Sequence, residues 1–222
     1  MVRVNWYDFA KHVAYPAMKA LWGYQIIGKE NLIEASKGKV VVITTHASPV
    51  GGLAVGLAES LVLDDEPYLI IHKKWQKNIA HYFLDTMNII WVNGIWKNKT
   101  QKSDDHLAVR QIGEKLLEEK TRGIIIASQG ELNIPDSSKV HFHAGGLVGA
   151  IYAVRRGAEV YVVPGYDCGV PYGGKNERRM PMLGKRIKAI FGEPIRVTIE
   201  QDPRELTTLL EDRVKDLMRK YS

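Results

Sequence analysis

The sequence predicts an α/β protein: a mixed, largely parallel sheet flanked by helices, preceded by an amphipathic helix at the N-terminus. Three observations carry this. From residue 24 onward, short apolar runs of strand length alternate with stretches of helical spacing, as in successive βαβ units. The most apolar run, 40–45 (Val-Val-Val-Ile-Thr-Thr), has no polar alternation, which marks a central strand covered on both faces. The 222 residues suit one domain with a sizeable core, and no internal repeat or low-complexity linker divides them.

The elements follow in order. Residues 4–22 carry Trp6, Tyr7, Phe9, Val13, Tyr15, Met18, Leu21 and Trp22 between Lys11, His12 and Lys19, an aromatic-rich amphipathic helix with a break expected near Pro16. Residues 24–27 form a short strand ended by Gly28, and 40–45 is the central strand. A helix spans 53–63, a strand entered by Pro67 spans 68–71, a helix spans 75–84 and a strand spans 89–92. Ser103 is a good N-cap, with Asp104 and Asp105 in the first turn where the helix dipole favours anions. That helix runs to about Lys120 with Val109, Ile112, Leu116 and Leu117 on one face. Residues 123–127 form a strand, 129–145 the longest loop, 146–156 a helix, 160–163 a strand stopped by Pro164, and 187–191 a late strand. Pro203 starts a final helix, in which Leu206, Leu209, Leu210, Val214, Leu217 and Met218 keep helical spacing.

Composition narrows the function classes. With 45% hydrophobic and 25% charged residues the chain is an ordinary globular protein, and no run of 18 apolar residues offers a bilayer-spanning helix. Residues 1–22 lack the charged start and apolar core of a signal peptide. The lone Cys168 forms no internal disulfide and reads as a small apolar residue, so a reducing cytoplasmic compartment is expected. The net charge of +6 is concentrated in 175–188, where Lys175, Arg178, Arg179, Lys185, Arg186 and Lys188 face only Glu177. Such a cluster attracts phosphate groups, an anionic membrane surface or nucleic acid, and equally serves as a solvated loop. No nucleic-acid motif accompanies it, so no nucleic-acid partner is expected. The aromatic helix at 4–22 suits a membrane interface, or a packed position on the domain.

In open α/β sheets, sites form beyond the carboxyl ends of strands. Three such ends stand out: His46 after Thr45, Asn93 after Val92, and Ser128-Gln129-Gly130-Glu131 after Ala127. His46 follows a buried strand and precedes a glycine-opened helix, a good place for a general base or for a turn-capping histidine. Ser48 and the amides near Gly51 and Gly52 stand where a helix start binds an anion or an oxyanion. His141 and His143 share a face if extended, but with no third ligand beside them an ordinary loop pair is expected and no metal. Trp91 and Trp96 suit the core better than an acyl groove. Gly145, Gly146 and Gly149 follow no strand directly and make no dinucleotide fingerprint.

A family resemblance enters at these residues. Ile27-Gly28-Lys29-Glu30-Asn31-Leu32, then the strand, then Thr45-His46-Ala47-Ser48, resembles the opening of the glycerolipid (lysophosphatidic acid-type, PlsC-like) acyltransferases. Lys73-Lys74 falls at the family's Lys-containing strand end, and Ile90-Trp91-Val92-Asn93-Gly94 at its second motif. Residues 123–133 fall at its third motif; Gly149-Ala150-Ile151-Tyr152-Ala153 and Val160-Tyr161-Val162-Val163-Pro164 resemble its closing helix and strand. The resemblance covers roughly residues 23–200, in order and spacing more than in identities. It implies an acyltransferase that takes acyl-CoA or acyl carrier protein as co-substrate, needs no resident cofactor and delivers the acyl group to a lipid acceptor. His46 would be the base, Glu131, one residue late for the third motif's Glu, would stand in for it as the catalytic carboxylate, and Ser48, Gly51, Lys73, Asn93, Gln129 and Gly130 would be substrate-binding. It also implies a peripheral location on the inner face of the membrane, held by 4–22 and 175–188.

The motifs depart from the family's pattern. The orienting Asp five residues after His46 is Gly51, the second-motif Arg is Gly94, and Gln129 and Leu132 replace the third motif's Glu and Arg. A catalytically inactive homologue that binds lipid at a membrane is the alternative expectation.

Overall fold

The computed structural model describes residues 6–45, 49–72, 88–92, 102–127, 140–168 and 186–221. Within them the chain forms α1 (Trp6–Phe9), a π-helical turn (Ala10–Ala14), α2 (Tyr15–Trp22), β1 (Gln25–Ile27), α3 (Lys29–Ala35), β2 (Lys39–Thr44), α4 (Pro49–Leu63), β3 (Tyr68–His72) and β4 (Ile89–Val92). It continues with α5 (Lys102–Leu117), β5 (Gly123–Ala127), α6 (Gly145–Val154), β6 (Val160–Cys168), β7 (Lys188–Phe191), β8 (Ile195–Arg196) and α7 (Pro203–Tyr221).

The eight strands form one mixed sheet in the order β1-β7-β6-β2-β5-β3-β4, with β8 paired to β6. From β6 to β4 every neighbouring pair is parallel; β7 and β8 run antiparallel to β6, and β1 is parallel to β7. The uninterrupted apolar run of β2 has a direct cause. Val41 and Ile43 enter a core with Ile112 and Leu116 of α5, Leu147 and Ile151 of α6, and Leu210 and Val214 of α7. Val40 and Val42 enter a second core with Leu32 of α3, Ala54, Val55 and Ala58 of α4, and Met18 of α2. Alternate residues point to opposite faces, so both faces had to be apolar.

Several expected boundaries shift. Pro16 does not break the N-terminal helix. It sits in the first turn of α2, and ahead of it the chain widens, with the Tyr15 amide bonding the Ala10 carbonyl five residues back. A single wider turn accommodates a ring that lacks an N–H and crowds the preceding turn. Gly23 ends α2 in the left-handed conformation (φ 55°).

Pro164 does not stop β6, which runs on to Cys168. A strand residue directs its N–H and C=O to the same side. The Pro164 carbonyl accepts the Gly192 amide at 2.8 Å, so the missing donor falls between the end of β7 and the start of β8. The ladder to β2 loses nothing.

Ser103 lies inside α5, which begins at Lys102, rather than capping it. The final helix is capped by Asp202, whose Oδ1 accepts the amides of Arg204 (2.7 Å) and Glu205 (3.2 Å). The helix expected at 75–84 lies outside the described residues. Helix α3 and strand β8 had no periodic signal: α3 is seven residues long and β8 two.

Candidate functional site

The parallel strands set the geography. Thr44 of β2 is level with Ala127 of β5 on one side and with Gly165 of β6 on the other, and His72 of β3 is level with Val92 of β4. Their carboxyl ends therefore lie along one edge of the sheet. Each sequence-derived candidate follows one of these ends: His46 and Ser48 follow β2, Gln129, Gly130 and Glu131 follow β5, Lys73 follows β3 and Asn93 follows β4. Those seven residues lie outside the described residues, as do Gly94, Trp96, Leu132 and residues 175–185. Gly51 is in the first turn of α4, which begins at Pro49, earlier than the sequence suggested.

One residue on this edge escaped the sequence analysis. Strand β6 overruns β2, and two residues past the Gly165–Thr44 pair stands Asp167. Its carboxylate Oδ1 accepts a hydrogen bond from Thr45 Oγ1 at 2.7 Å. Both side chains are only 2% exposed. Thr45 is the residue immediately before His46. The signal available in the sequence was an aspartate within the Val160–Cys168 run; ending the strand at Pro164 consigned it to a loop.

The Gly28-Lys29-Glu30-Asn31-Leu32 segment has a structural job. Gly28 adopts φ 75°, and a side chain there would strike the Phe191 carbonyl. Asn31 Nδ2 donates to that same carbonyl at 2.9 Å. Together they fasten α3 to the end of β7.

His141 and His143 do meet, with ring centroids 5.4 Å apart and edge to face. Glu211 of α7 joins them: its Oε1 lies 3.0 Å from His141 Nδ1 and accepts the Phe142 amide at 2.6 Å. Among the described residues, no group of three His, Cys, Asp or Glu side chains is placed to hold a metal ion. Burial, and then the neighbouring charge of His141, push the His143 imidazole down to about 4, so it is neutral at physiological pH. The cluster pins the 140–143 segment to the last helix.

The amino edge of the sheet holds two shallow depressions, one by Lys37, Lys39, Glu119, Arg122 and Glu159, the other by Tyr7, Asp64, Glu66, Tyr68 and Lys120. Both are walled by charges of mixed sign and suit no acyl chain. The Lys39 ammonium is committed there: it donates to the carbonyls of Glu118 (2.7 Å), Glu119 (3.1 Å) and Thr121 (2.6 Å) behind α5.

The N-terminal helix is packed on the sheet's helical layer. Ala10 and Met18 are buried, while Phe9, Tyr15 and Trp22 pack against the second core. The Tyr7 hydroxyl bonds Asp64, and its amide donates to Glu66 Oε1 at 3.2 Å. Three of the aromatic residues that suited an interface thus contribute to the fold. Val13 (52% exposed) and Leu21 (46%) remain outward beside Lys11 and Lys19. No helix among the described residues is long and apolar enough to cross a membrane.

No protein-family model matches the chain, and no curated protein sequence matches it. A solved structure does: the 1-acyl-sn-glycerophosphate (LPA) acyltransferase PlsC from Thermotoga maritima, with a TM-score of 0.62 and 18% sequence identity. The match covers 96% of this chain and 77% of that one. The two proteins share a fold.

Proposed function

We propose that this chain is a single acyltransferase domain, which moves a fatty acyl group from acyl-CoA or acyl carrier protein to a lysophospholipid or another hydroxyl or amine acceptor. The observation that carries the proposal is a shared fold over nearly the whole chain, with His46 following the central strand at the carboxyl edge. In the proposed reaction His46 takes the proton of the acceptor hydroxyl as its oxygen attacks the thioester carbonyl. The tetrahedral intermediate collapses, the carbon–sulfur bond breaks, and the proton passes to the departing thiolate. The start of α4, with Ser48 and Gly51, supplies amide donors to the oxyanion. Lys73, Asn93, Gln129 and Gly130, which follow neighbouring parallel strands, bind substrate, and Glu131 serves as the catalytic carboxylate in place of the third motif's Glu.

Gly94 and Leu132 replace the arginines that bind the acceptor phosphate in the family's motifs, so the acceptor need not be a glycerol phosphate. The basic residues of 175–188 provide an alternative anion contact and, with the outward Val13, Leu21, Lys11 and Lys19, hold the protein to the inner face of the membrane from the cytoplasmic side. Glycine at position 51 favours a second reading, an inactive homologue that binds lipid without turning it over.

Thiol release from acyl-CoA in the presence of lysophospholipids and other acceptors separates the two. The proposal expects release that His46→Ala abolishes; equal background from both proteins with every acceptor leaves the lipid-binding reading. Flotation with anionic vesicles tests the membrane contact, and protein that stays at the bottom of the gradient removes it.

A further inference from the structure

We infer that the Thr44 hydroxyl and the free amides that open α4 form an anion-stabilising site at the carboxyl edge, and that its ligand is the oxyanion of the acyl-transfer intermediate. The identity of the ligand rests on the acyltransferase reading; the site does not. Thr44 ends β2 after an unbroken apolar run, Val40 to Ile43. It has no exposed surface, and its Oγ1 has no hydrogen-bond partner among the described residues. Valine has the same shape and would leave no polar atom stranded in the interior. A hydroxyl kept there without a partner weakens the fold, so its use lies with a ligand rather than with the fold.

The hydroxyl sits on the side of the sheet that α4 covers. Val40 and Val42 share the second core with Ala54, Val55 and Ala58 of α4, and alternation along the strand puts Thr44 on that same face. Gly165, the rung partner of Thr44 on β6, agrees: a Cβ there would lie 3.0 Å from Val42 Cγ1 and 3.4 Å from Thr44 Oγ1. Being glycine, it puts no side chain over the hydroxyl. Residues 45–48 alone separate Thr44 from α4, a 15-residue helix that begins at the same edge. Pro49 has no N–H, so Val50 and Gly51 carry the first amides without a helical acceptor, at the positive end of the helix dipole. An anionic oxygen held between these amides and Thr44 accepts hydrogen bonds from both. In the proposed reaction that oxygen belongs to the thioester carbonyl. It gains the π electron pair of the C=O bond as the acceptor oxygen bonds to carbon and the acceptor's proton goes to the base. It returns the pair as the carbon–sulfur bond breaks and the thiolate leaves. Burial favours this use, because a donor screened from water stabilises developing charge most strongly.

The test compares Thr44→Val and Thr44→Ser with the wild type in the full-length protein. Thr44→Val should melt no lower than the wild type, since it removes only an unpaired polar atom. A clear loss of stability would show that the hydroxyl already has a partner in the fold, and overturns the proposal. Dodecyl phosphate, an anionic head on an alkyl chain, probes the site without turnover. In calorimetry Thr44→Val should bind it about tenfold more weakly or worse, the worth of one hydrogen bond to a charged group, and Thr44→Ser should restore the affinity. Equal affinities in the wild type and Thr44→Val, or no binding by the wild type, overturn the site. In turnover, Thr44→Val should lower kcat by about 10²- to 10³-fold, as loss of an oxyanion donor does, with KM for the acyl donor little changed and serine restoring most of the rate. An unchanged kcat overturns the oxyanion assignment. If the wild type turns over no acceptor yet Thr44→Val still weakens dodecyl phosphate binding, the acyltransferase reading fails and the anion site stands.

Discussion

Glu59 offers the sharpest measurement of how this fold tolerates buried charge. It lies on α4 with no exposed surface, and neither carboxyl oxygen has a hydrogen-bond partner among the described residues. It is pressed against the start of β5, where any side chain at Gly123 would collide with the carboxyl group. Burial, reinforced by the negative charge of Asp65, raises its pKa well above the ordinary 4.5. The folded protein therefore holds this proton to a higher pH than the unfolded chain does. Between the unfolded and folded pKa values the native state binds more protons than the unfolded state, so stability falls as pH rises. The slope for one such group is about 1.4 kcal/mol per pH unit, starting near 4.5 and ending when the folded carboxyl ionises. Glu59→Gln keeps the shape and removes the proton. Denaturant unfolding of both proteins from pH 4 to 8 should show small differences at the acid end and a growing advantage for the variant above it. Taking the difference between the two proteins cancels the other titrating groups. A pH-independent difference would show that Glu59 is ionised in the folded state and would refute the reasoning.

Other outcomes follow from single contacts. Tyr24→Phe removes the buried bond from the tyrosine hydroxyl to the Ala54 carbonyl on α4, and should cost about 0.5–1.5 kcal/mol in chemical denaturation, the net worth of one hydrogen bond, since that carbonyl lies within the helix and keeps its helical partner. Gly149→Ala places a methyl 2.7 Å from Ile112 Cγ2 and 2.9 Å from the Val109 carbonyl, so α5 and α6 must separate; a loss of about 1–3 kcal/mol in stability is expected. His143, held near 4, contributes stability that is present above about 6.5 and lost as pH falls towards 4. His143→Phe should flatten that acid limb, and an unaltered limb would place the effect elsewhere.

The sheet was largely legible because its strands are either fully apolar or bounded by glycine and proline. Residues 40–45, 89–92 and 123–127 were each recognisable as strands, each runs to the carboxyl edge, and a candidate follows each in sequence. What escaped notice depended on context that one segment does not contain. Whether Pro164 ends a strand is decided by which neighbour faces its missing donor, and that neighbour, Gly192, is 28 residues away. Helix α3 is short, and what holds it is distant in sequence: Asn31 bonds the Phe191 carbonyl, and Leu32 and Ala35 are buried in the second core. The same misjudged strand end hid Asp167, the one buried carboxylate described at the carboxyl edge. His46, by contrast, was conspicuous because it directly follows the most apolar run of the chain, where a base and a turn cap stand equally well.

The pairing of β1 with β7 also constrains the order in which the chain can assemble. Gln25 finds its partner at Lys188, and the Trp22 carbonyl receives the Ile187 amide at 3.1 Å. During synthesis the aromatic helix and its strand emerge long before β7, their ladder partner. Closing so long a loop costs little in final stability, since the entropy grows only logarithmically with length, but contacts of this kind slow folding. Until β7 arrives, Phe9, Tyr15 and Trp22 lack part of the surface they settle against. Nascent chains cut before residue 186 should therefore leave this aromatic face open to chaperones, and extension past 191 should protect it.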